Sequence, residues 1–262
     1  MPKLSDRFLN LIAADQNGLE VGATASYTLD NCLDFAQKTI HNFRGRISGR
    51  RVLDFGCGHG WQSIAMARLG AALVLGLDIA TDRLDRAREL ARQYGVAERV
   101  RFSDSGEGFQ PDVVVSIGGF EHFADPPATL NLMASLVRQD GQILLTFACP
   151  WFSPNGSHVN GFTRIPGTNI AFPWLNLLVP EPAMMRLRSR YRSDGASRYE
   201  EVTGGLNRMT LAKFERIVGN NGLIVSELQY FGVKGLPLVT RIPVIRELLT
   251  SAVSCVLRCA AR

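Results

Sequence analysis

The sequence predicts an α/β fold: a Rossmann-like, doubly wound and mostly parallel seven-stranded sheet with an inserted lid after the fifth strand. Three observations predict it. Short apolar runs of strand length alternate with helix-length amphipathic segments from Arg51 to Phe147, the pattern of parallel strands joined by helical crossovers. The first run, Val52-Leu53-Asp54, breaks into glycines at every second position, Gly56, Gly58 and Gly60, and a helix-like segment from Trp61 to Leu69 follows at once. Strand, glycine turn and helix bring backbone N–H groups and a helix N-terminus close to a ligand. The second run ends in an acid, Asp78, about 20 residues after Gly56, where such sheets hold a ribose diol. A helix-capping carboxylate is the other reading of Asp78.

The elements follow in order. Residues 3–14 and 29–43 read as helices, the second with an apolar stripe of Leu29, Leu33, Ala36 and Ile40 and a cap at Thr28 or Asp30. The linker between them, 17–27, is rich in Gly, Ala, Ser and Thr. It ends in Tyr27, which either lines the site or packs as an ordinary tyrosine. Ala71 to Asp78 forms the second strand. Thr81 is expected to cap the helix that follows, with Leu84, Ala87, Arg88 and Ala91 inward and Gly95 at its end. Arg99 to Ser103 is a third strand, and Asp104-Ser105-Gly106-Glu107 after it is either a ligand loop or a plain turn. Val113, Val114, Val115 and Ile117 make a fourth, buried strand. It ends in Gly118-Gly119 and presents Phe120, Glu121 and His122 at its carboxyl edge, where ligands of these sheets bind. A helix over 127–137 and a strand over 141–147 continue the alternation. A helix at 210–218 and a strand at 223–230 resume it. Residues 252–258 read as a last antiparallel strand or as part of a helix over 244–259, because a short apolar run fits both.

The glycine spacing narrows the ligand. A dinucleotide fold would need its third glycine at Trp61. The spacing found, Asp54-x-Gly56-x-Gly58-x-Gly60, resembles the first motif of class I S-adenosylmethionine-dependent methyltransferases. Asp112-x-Val114-x-Ser116, followed by Glu121-His122 and Asp125-Pro126, resembles the fourth motif of the small-molecule members of that family. The resemblance covers residues 50–148 closely and resumes at Thr210. It implies S-adenosyl-L-methionine as cofactor. The cofactor would be held by Asp54, Gly56, Cys57, Gly58 and Gly60 in the turn, by Asp78 and Ile79 after the second strand, by Asp104 and Ser105 after the third, and by Ser116, Ile117 and Gly118 at the fourth. The implied organisation is a helical leader (1–48), a cofactor-binding core (49–148), a substrate lid (149–209) and a C-terminal part of the core (210–262).

The lid stretch carries six prolines, three phenylalanines and two tryptophans without strong periodicity, and is expected to lack a core of its own. Loops this long in compact domains are functional or disordered, and this one is too aromatic for disorder. Trp151, Phe152 and Trp174 are candidate substrate contacts. Pro150-Trp-Phe-Ser-Pro-Asn-Gly-Ser-His158 resembles methyltransferases of bacterial surface glycans and secondary metabolism. Methyl transfer by that family is chiefly a matter of alignment. A hydroxyl acceptor must also lose its proton, which suits a histidine. Of the four histidines, His158 in the lid is the favoured base and His122 the alternative, unless His122 pairs with Glu121 to hold the fold. No metal is expected, since Glu121, His122 and Asp125 on one loop are a poor ligand set. Arg186, Arg188, Arg190 and Arg192 alternate. They mark either a solvated face or an anion site, in which Arg188 and Arg192 would hold a phosphate or carboxylate of the acceptor.

Composition sets the bounds. A chain of 262 residues, 46% hydrophobic, supports one α/β domain with an insertion. A net charge of +5 does not by itself imply nucleic acid, and no RNA-binding module is visible. Five cysteines without metal spacing suggest reduced thiols and a cytoplasmic protein. No signal peptide or spanning segment is expected. The tail from Leu236 to Ile245 could lie on a membrane surface or pack as an ordinary C-terminal helix, its charge being sparse. The expected partner is a small-molecule or glycan acceptor. An oxidoreductase with a shortened glycine loop and a cofactor-binding subunit without turnover are the rival classes.

Overall fold

The computed structural model describes residues 4–14, 28–202, 204–233, 240 and 242–259. Five strands run parallel: β1 (Arg51–Phe55), β2 (Leu73–Leu77), β3 (Val100–Ser103), β4 (Val113–Ile117) and β5 (Gln142–Ala148). β7 (Thr250–Cys259) enters antiparallel between β5 and β6 (Leu223–Gly232), so the sheet order is β3-β2-β1-β4-β5-β7-β6. The last segment is thus a strand, and only a short helix, α10 (Pro243–Leu249), precedes it. The order reverses at β1, whose neighbours are β2 on one side and β4 on the other. That switch point is where crossover connections diverge and leave a crevice at the carboxyl ends.

Strand side chains alternate between faces. Val52, Val74, Val115 and Leu144 pack with α2 (Asp34–Thr39), α3 (Phe43–Ile47), α4 (Trp61–Arg68) and α5 (Thr81–Gln93). Leu53, Leu75, Val114, Leu145 and Phe147 face the other way, onto α6 (Pro126–Leu136) and α9 (Leu211–Gly219). Two helices start on good caps: Asp125 accepts from the Ala128 N–H, and Thr210 from the Lys213 N–H.

Several details differ from the sequence expectation. The helix expected at 29–43 is two short helices, broken where Asn42 takes a left-handed conformation, and neither Thr28 nor Asp30 caps it. Thr81 is the first residue of α5 rather than its cap. The Ala80 N–H there is held by Asp78 Oδ1 at 2.9 Å. Leu90, not Arg88, completes the inward face of α5, and Arg88 instead donates to the Phe102 carbonyl.

The largest correction concerns the lid, which has a core. Val159, Phe162, Leu175, Val179, Met184, Leu187 and Tyr199 are buried together with Leu9 and Ile12 of α1 (Leu4–Ile12). α1 packs on α8 (Glu181–Arg188), and a bridge between Ala13 and Thr163 ties the leader to the insertion. The first helix therefore belongs to the lid layer. The linker 17–27 and Tyr27 lie outside the described residues, as does most of the expected tail up to Arg241. Among the described residues, no helix is long and apolar enough to cross a membrane.

Candidate active site

The glycine turn sits at the carboxyl end of β1, beside the end of β2. Gly56 and Cys57 both donate backbone N–H to the Leu77 carbonyl, at 2.8 and 3.0 Å. Asp78 Oδ2 accepts from Gly58 N–H at 2.8 Å, so one carboxylate clamps the turn to the start of α5. Gly58 and Gly60 both take positive φ, which favours glycine. They differ in surroundings. A Cβ at Gly60 would stand 2.7 Å from Ala87 Cβ and from the Phe102 ring, whereas one at Gly58 would meet nothing within 4 Å. Gly60 is required for packing, and Gly58 leaves open space above the turn. Beside that space Ile79 is 95% exposed, a large apolar side chain that the described residues leave uncovered.

Beneath the turn, Asp54 is buried on β1. Its Oδ2 accepts from Ser63 Oγ at 2.5 Å, and its Oδ1 has no partner among the described residues. Burial and the nearby Asp78 charge raise its pKa to about 7, against the lowering effect of the Ser63 hydrogen bond. Ser116 on β4 is also buried with an unpartnered hydroxyl. Ile117 is half-buried and Gly118 exposed at that strand's end. Asp104 and Ser105 are exposed. Ser105 Oγ accepts from the Glu107 N–H, which accounts for it as a turn residue.

The turn and the fourth strand's edge meet through one ring. A Cβ at Gly56 would lie 3.5 Å from Phe123, and the Phe55 and Phe123 rings make an edge contact at 5.6 Å. Phe123 follows a 3-10 turn, Phe120–His122, that carries the acid–histidine pair. Glu121 is buried. Its Oε1 accepts from the Ala148 N–H at 3.2 Å and its Oε2 has no partner among the described residues. Burial raises its pKa, opposed chiefly by charge on His122. His122 Nδ1 lies 2.6 Å from the Gly205 carbonyl. A carbonyl can only accept, so Nδ1 carries the proton and Nε2 keeps its lone pair.

His158 lies against His122, with ring centroids 5.4 Å apart and planes near perpendicular. The core's edge and the lid thus bring the two candidate histidines into one place. The pKa of His158 is lowered, by desolvation first and by the neighbouring His122 second. His158 is exposed, so its desolvation is incomplete. Asp125, the third residue weighed for a metal set with Glu121 and His122, caps α6.

The remaining candidates divide. Trp151 packs edge-on against Tyr199 at 5.0 Å, with the Arg208 guanidinium over both rings. Phe152 is exposed, and Trp174 Nε1 donates to the Leu248 carbonyl at 3.3 Å. Arg188 does not offer an anion site: it is buried, with both terminal nitrogens on the Asp194 carboxylate. Arg186 pairs with Asp6, Arg190 with Asn10, and Arg192 lies 6.0 Å over the Phe162 ring. Arg186 and Arg190 thus tie the insertion to α1, while Arg188 and Arg192 bind within the insertion. Sequence reasoning missed Asn207, which donates to the Phe120 and Phe123 carbonyls and holds the strap carrying Gly205 beneath His122. The adjacent glycines Gly204-Gly205, both at positive φ, were the signal available.

A family model for the methyltransferase domain matches residues 4–227. The chain belongs to that family, whose class I members share this seven-stranded sheet and use S-adenosylmethionine as cofactor. Among curated proteins it is similar to a ubiquinone biosynthesis O-methyltransferase of Neisseria meningitidis, 40% identical over 107 residues, covering 38% of this chain and 44% of the relative. It is also similar to a ribosomal protein L11 methyltransferase of Aliivibrio fischeri, 32% identical over 133 residues, covering 49% of this chain and 42% of that one. The matches thus span less than half the length of these relatives. Among solved structures, the magnesium protoporphyrin IX methyltransferase of Synechocystis has a TM-score of 0.52 at 18% identity, covering 97% of this chain and 93% of its own. A methyltransferase from Mesorhizobium loti has a TM-score of 0.52 at 17% identity, covering 81% and 92%. At these identities the structural likeness concerns the fold.

Proposed function

We propose that this chain transfers a methyl group from S-adenosylmethionine to a hydroxyl on a small-molecule or glycan acceptor, with a histidine as the base. One observation supports this above the rest: Phe123 joins the glycine turn to the acid–histidine edge, so the open space at Gly58 and a histidine lie on joined elements. The residues present fit the cofactor. The open space at Gly58, the exposed Ile79 and the Asp78 carboxylate would take its backbone-facing, adenine and ribose parts. The unpartnered oxygens of Asp54 and Ser116 supply buried polar groups under the turn. When bound, the sulfonium supplies both the methyl group and its leaving group.

What the chain must do is orient the acceptor and take its proton. A base works best when its pKa lies near the working pH. His158 is exposed, and desolvation and the neighbouring His122 push its pKa down in direction only. His122 is better suited, because the Gly205 carbonyl holds it in the tautomer with a free Nε2. The preference from sequence for His158 is revised accordingly: His122 takes the proton and His158 orients the acceptor. Positive charge arising on His122 favours ionisation of Glu121 beside it, the logic by which a buried acid supports an imidazolium.

Calorimetric titration of S-adenosylhomocysteine tests the cofactor half, with NADH as control. Wild type should bind with micromolar affinity and Asp78→Ala should bind at least tenfold more weakly. Stronger binding of NADH, or none of S-adenosylhomocysteine, would refute it. In a screen of hydroxylated acceptors, His122→Ala should lower kcat more than His158→Ala, and the reverse order would return the base to the lid.

A further inference from the structure

His122 is held by a strap that crosses the 3-10 turn Phe120–His122. Gly205 sits on that strap at φ 71°, and a Cβ there would stand 3.3 Å from the His122 carbonyl. The carbonyl of the same glycine lies 2.6 Å from His122 Nδ1, so the strap meets the histidine at both backbone and ring. Two residues on, Asn207 closes a clasp around the turn. Its backbone N–H donates to the Glu121 carbonyl at 2.9 Å, and its Nδ2 donates to the Phe120 and Phe123 carbonyls at 2.8 and 2.9 Å. A turn this short leaves carbonyls without intrahelical donors, and one side-chain amide carries the two protons that two of them need. The orientation of the amide follows. Carbonyls can only accept, so the nitrogen faces them, and Oδ1 is left buried without a partner among the described residues.

The clasp is anchored from both sides. Leu206 is buried in the lid core with Leu175 of α7 (Leu175–Leu178) and Leu187 of α8. Met209 is buried on the sheet face covered by α6 and α9. The Asn207 carbonyl accepts from Lys213 Nζ on α9 at 2.9 Å. Asn207 thus stands at the seam between lid and core. A neutral imidazole can carry its proton on Nδ1 or on Nε2, and a carbonyl fixed against Nδ1 selects one of the two forms. That carbonyl stays fixed only while strap and turn stay together. We propose that Asn207 is a positioning residue for proton removal: its clasp on the backbone of residues 120–123 keeps the Gly205 carbonyl against His122 Nδ1 and leaves Nε2 free for the acceptor's proton. This rests on the reading of His122 as the base and assigns what holds that base ready.

The test reads the tautomer directly, by nitrogen NMR of the full chain carrying isotope-labelled histidine rings. The protein is saturated with S-adenosylhomocysteine and held above the titration range of histidine. His122→Gln identifies the His122 signals among those of the four histidines. Wild type should show His122 protonated at Nδ1. Asn207→Asp keeps the size of the side chain but turns acceptors toward two carbonyls, and Asn207→Ala removes the amide. Either should lower the ratio of the Nδ1–H to the Nε2–H form roughly five- to tenfold, the weight of one hydrogen bond, and leave S-adenosylhomocysteine affinity unchanged. Lys213→Met removes only the bond to the Asn207 carbonyl from a half-buried position. It should shift the ratio the same way to a smaller extent, and it carries the test if the Asn207 variants do not fold. A ratio unaltered in every variant that folds and binds S-adenosylhomocysteine overturns the proposal while the reading of His122 as the base stands. A wild-type His122 protonated at Nε2 would instead overturn that reading, and the proposal with it.

Discussion

Asp54→Asn isolates the electrostatic cost built into the glycine turn. The Asp54 carboxyl is 1% exposed, takes one hydrogen bond from Ser63, and has an unpartnered Oδ1. Its pKa rises from 3.8 to about 7. A carboxyl whose pKa is raised by folding binds its proton more tightly in the folded state. Stability from this group is therefore greatest below pH 3.8 and falls as pH rises to 7, after which it levels off. A shift of about 3 units is worth about 4 kcal/mol in all, of which about 2 kcal/mol falls between pH 5.5 and 8.5. Asparagine has the shape of the neutral acid and does not titrate. Its amide N–H₂ inherits the unpartnered position, a penalty of about 1–3 kcal/mol, but that penalty is the same at both pH values. Urea unfolding of the ligand-free protein at pH 5.5 and 8.5 separates the two effects. The stability of the variant relative to wild type should rise by about 2 kcal/mol from the lower pH to the higher. Glu121 and His158 titrate alike in both proteins and cancel. A relative stability that does not change with pH would mean that Asp54 ionises at its ordinary value, and the account of the buried turn would be wrong.

Two further comparisons test the turn and the lid. Gly60→Ala drives a methyl into Ala87 and Phe102 at 2.7 Å and should cost about 2–4 kcal/mol in chemical denaturation. Gly58→Ala meets open space, so it should cost only about 1 kcal/mol of backbone strain yet weaken S-adenosylhomocysteine binding at least tenfold. Equal losses of stability in the two variants would refute the distinction. Arg188→Met removes the charge-assisted hydrogen bonds to the exposed Asp194 carboxylate and should cost about 1.5–3 kcal/mol, lowering Tm without changing S-adenosylhomocysteine affinity. Adding Asp194→Asn should restore part of the loss, whereas an unchanged Tm would show the pair to be dispensable.

The core of the fold was legible because its signals are local. A glycine turn, an acid at the end of the next strand and the 2-versus-3.6 periodicities each need fewer than about 20 neighbouring residues to be read. The strand at 250–259 was ambiguous for a physical reason. Buried on both faces between β5 and β6, it shows a continuous apolar run rather than alternation. The partners of Arg186 and Arg190 were not legible because Asp6 and Asn10 lie 180 residues away. Arg188 was the exception, with its acid only six residues on, but an acid at that spacing after a helix looks like any surface residue.

The lid's geometry was hidden for a different reason. Cys149, His158, Trp174 and Arg208 have left-handed backbones without being glycine, and no composition rule announces that. Such conformations cost about 1–3 kcal/mol each and survive only where the surroundings over-determine them. Here the surroundings are visible. The Cys149 N–H is held by the Ser251 carbonyl and the His158 N–H by the Asn155 carbonyl. The Trp174 N–H is held by Pro154, and Arg208 sits between Glu181 and Glu200. The neighbouring loops close on Asn160, whose amide reaches both the Pro154 and Phe172 carbonyls. A loop that had to fold around its ligand would have no reason to store strain beforehand. The lid stores it at the residue that faces His122, and the core it shares with α1 holds it in place. The left-handed backbone at His158 thus goes with a ring contact to His122, centroids 5.4 Å apart, that the folded chain builds by itself.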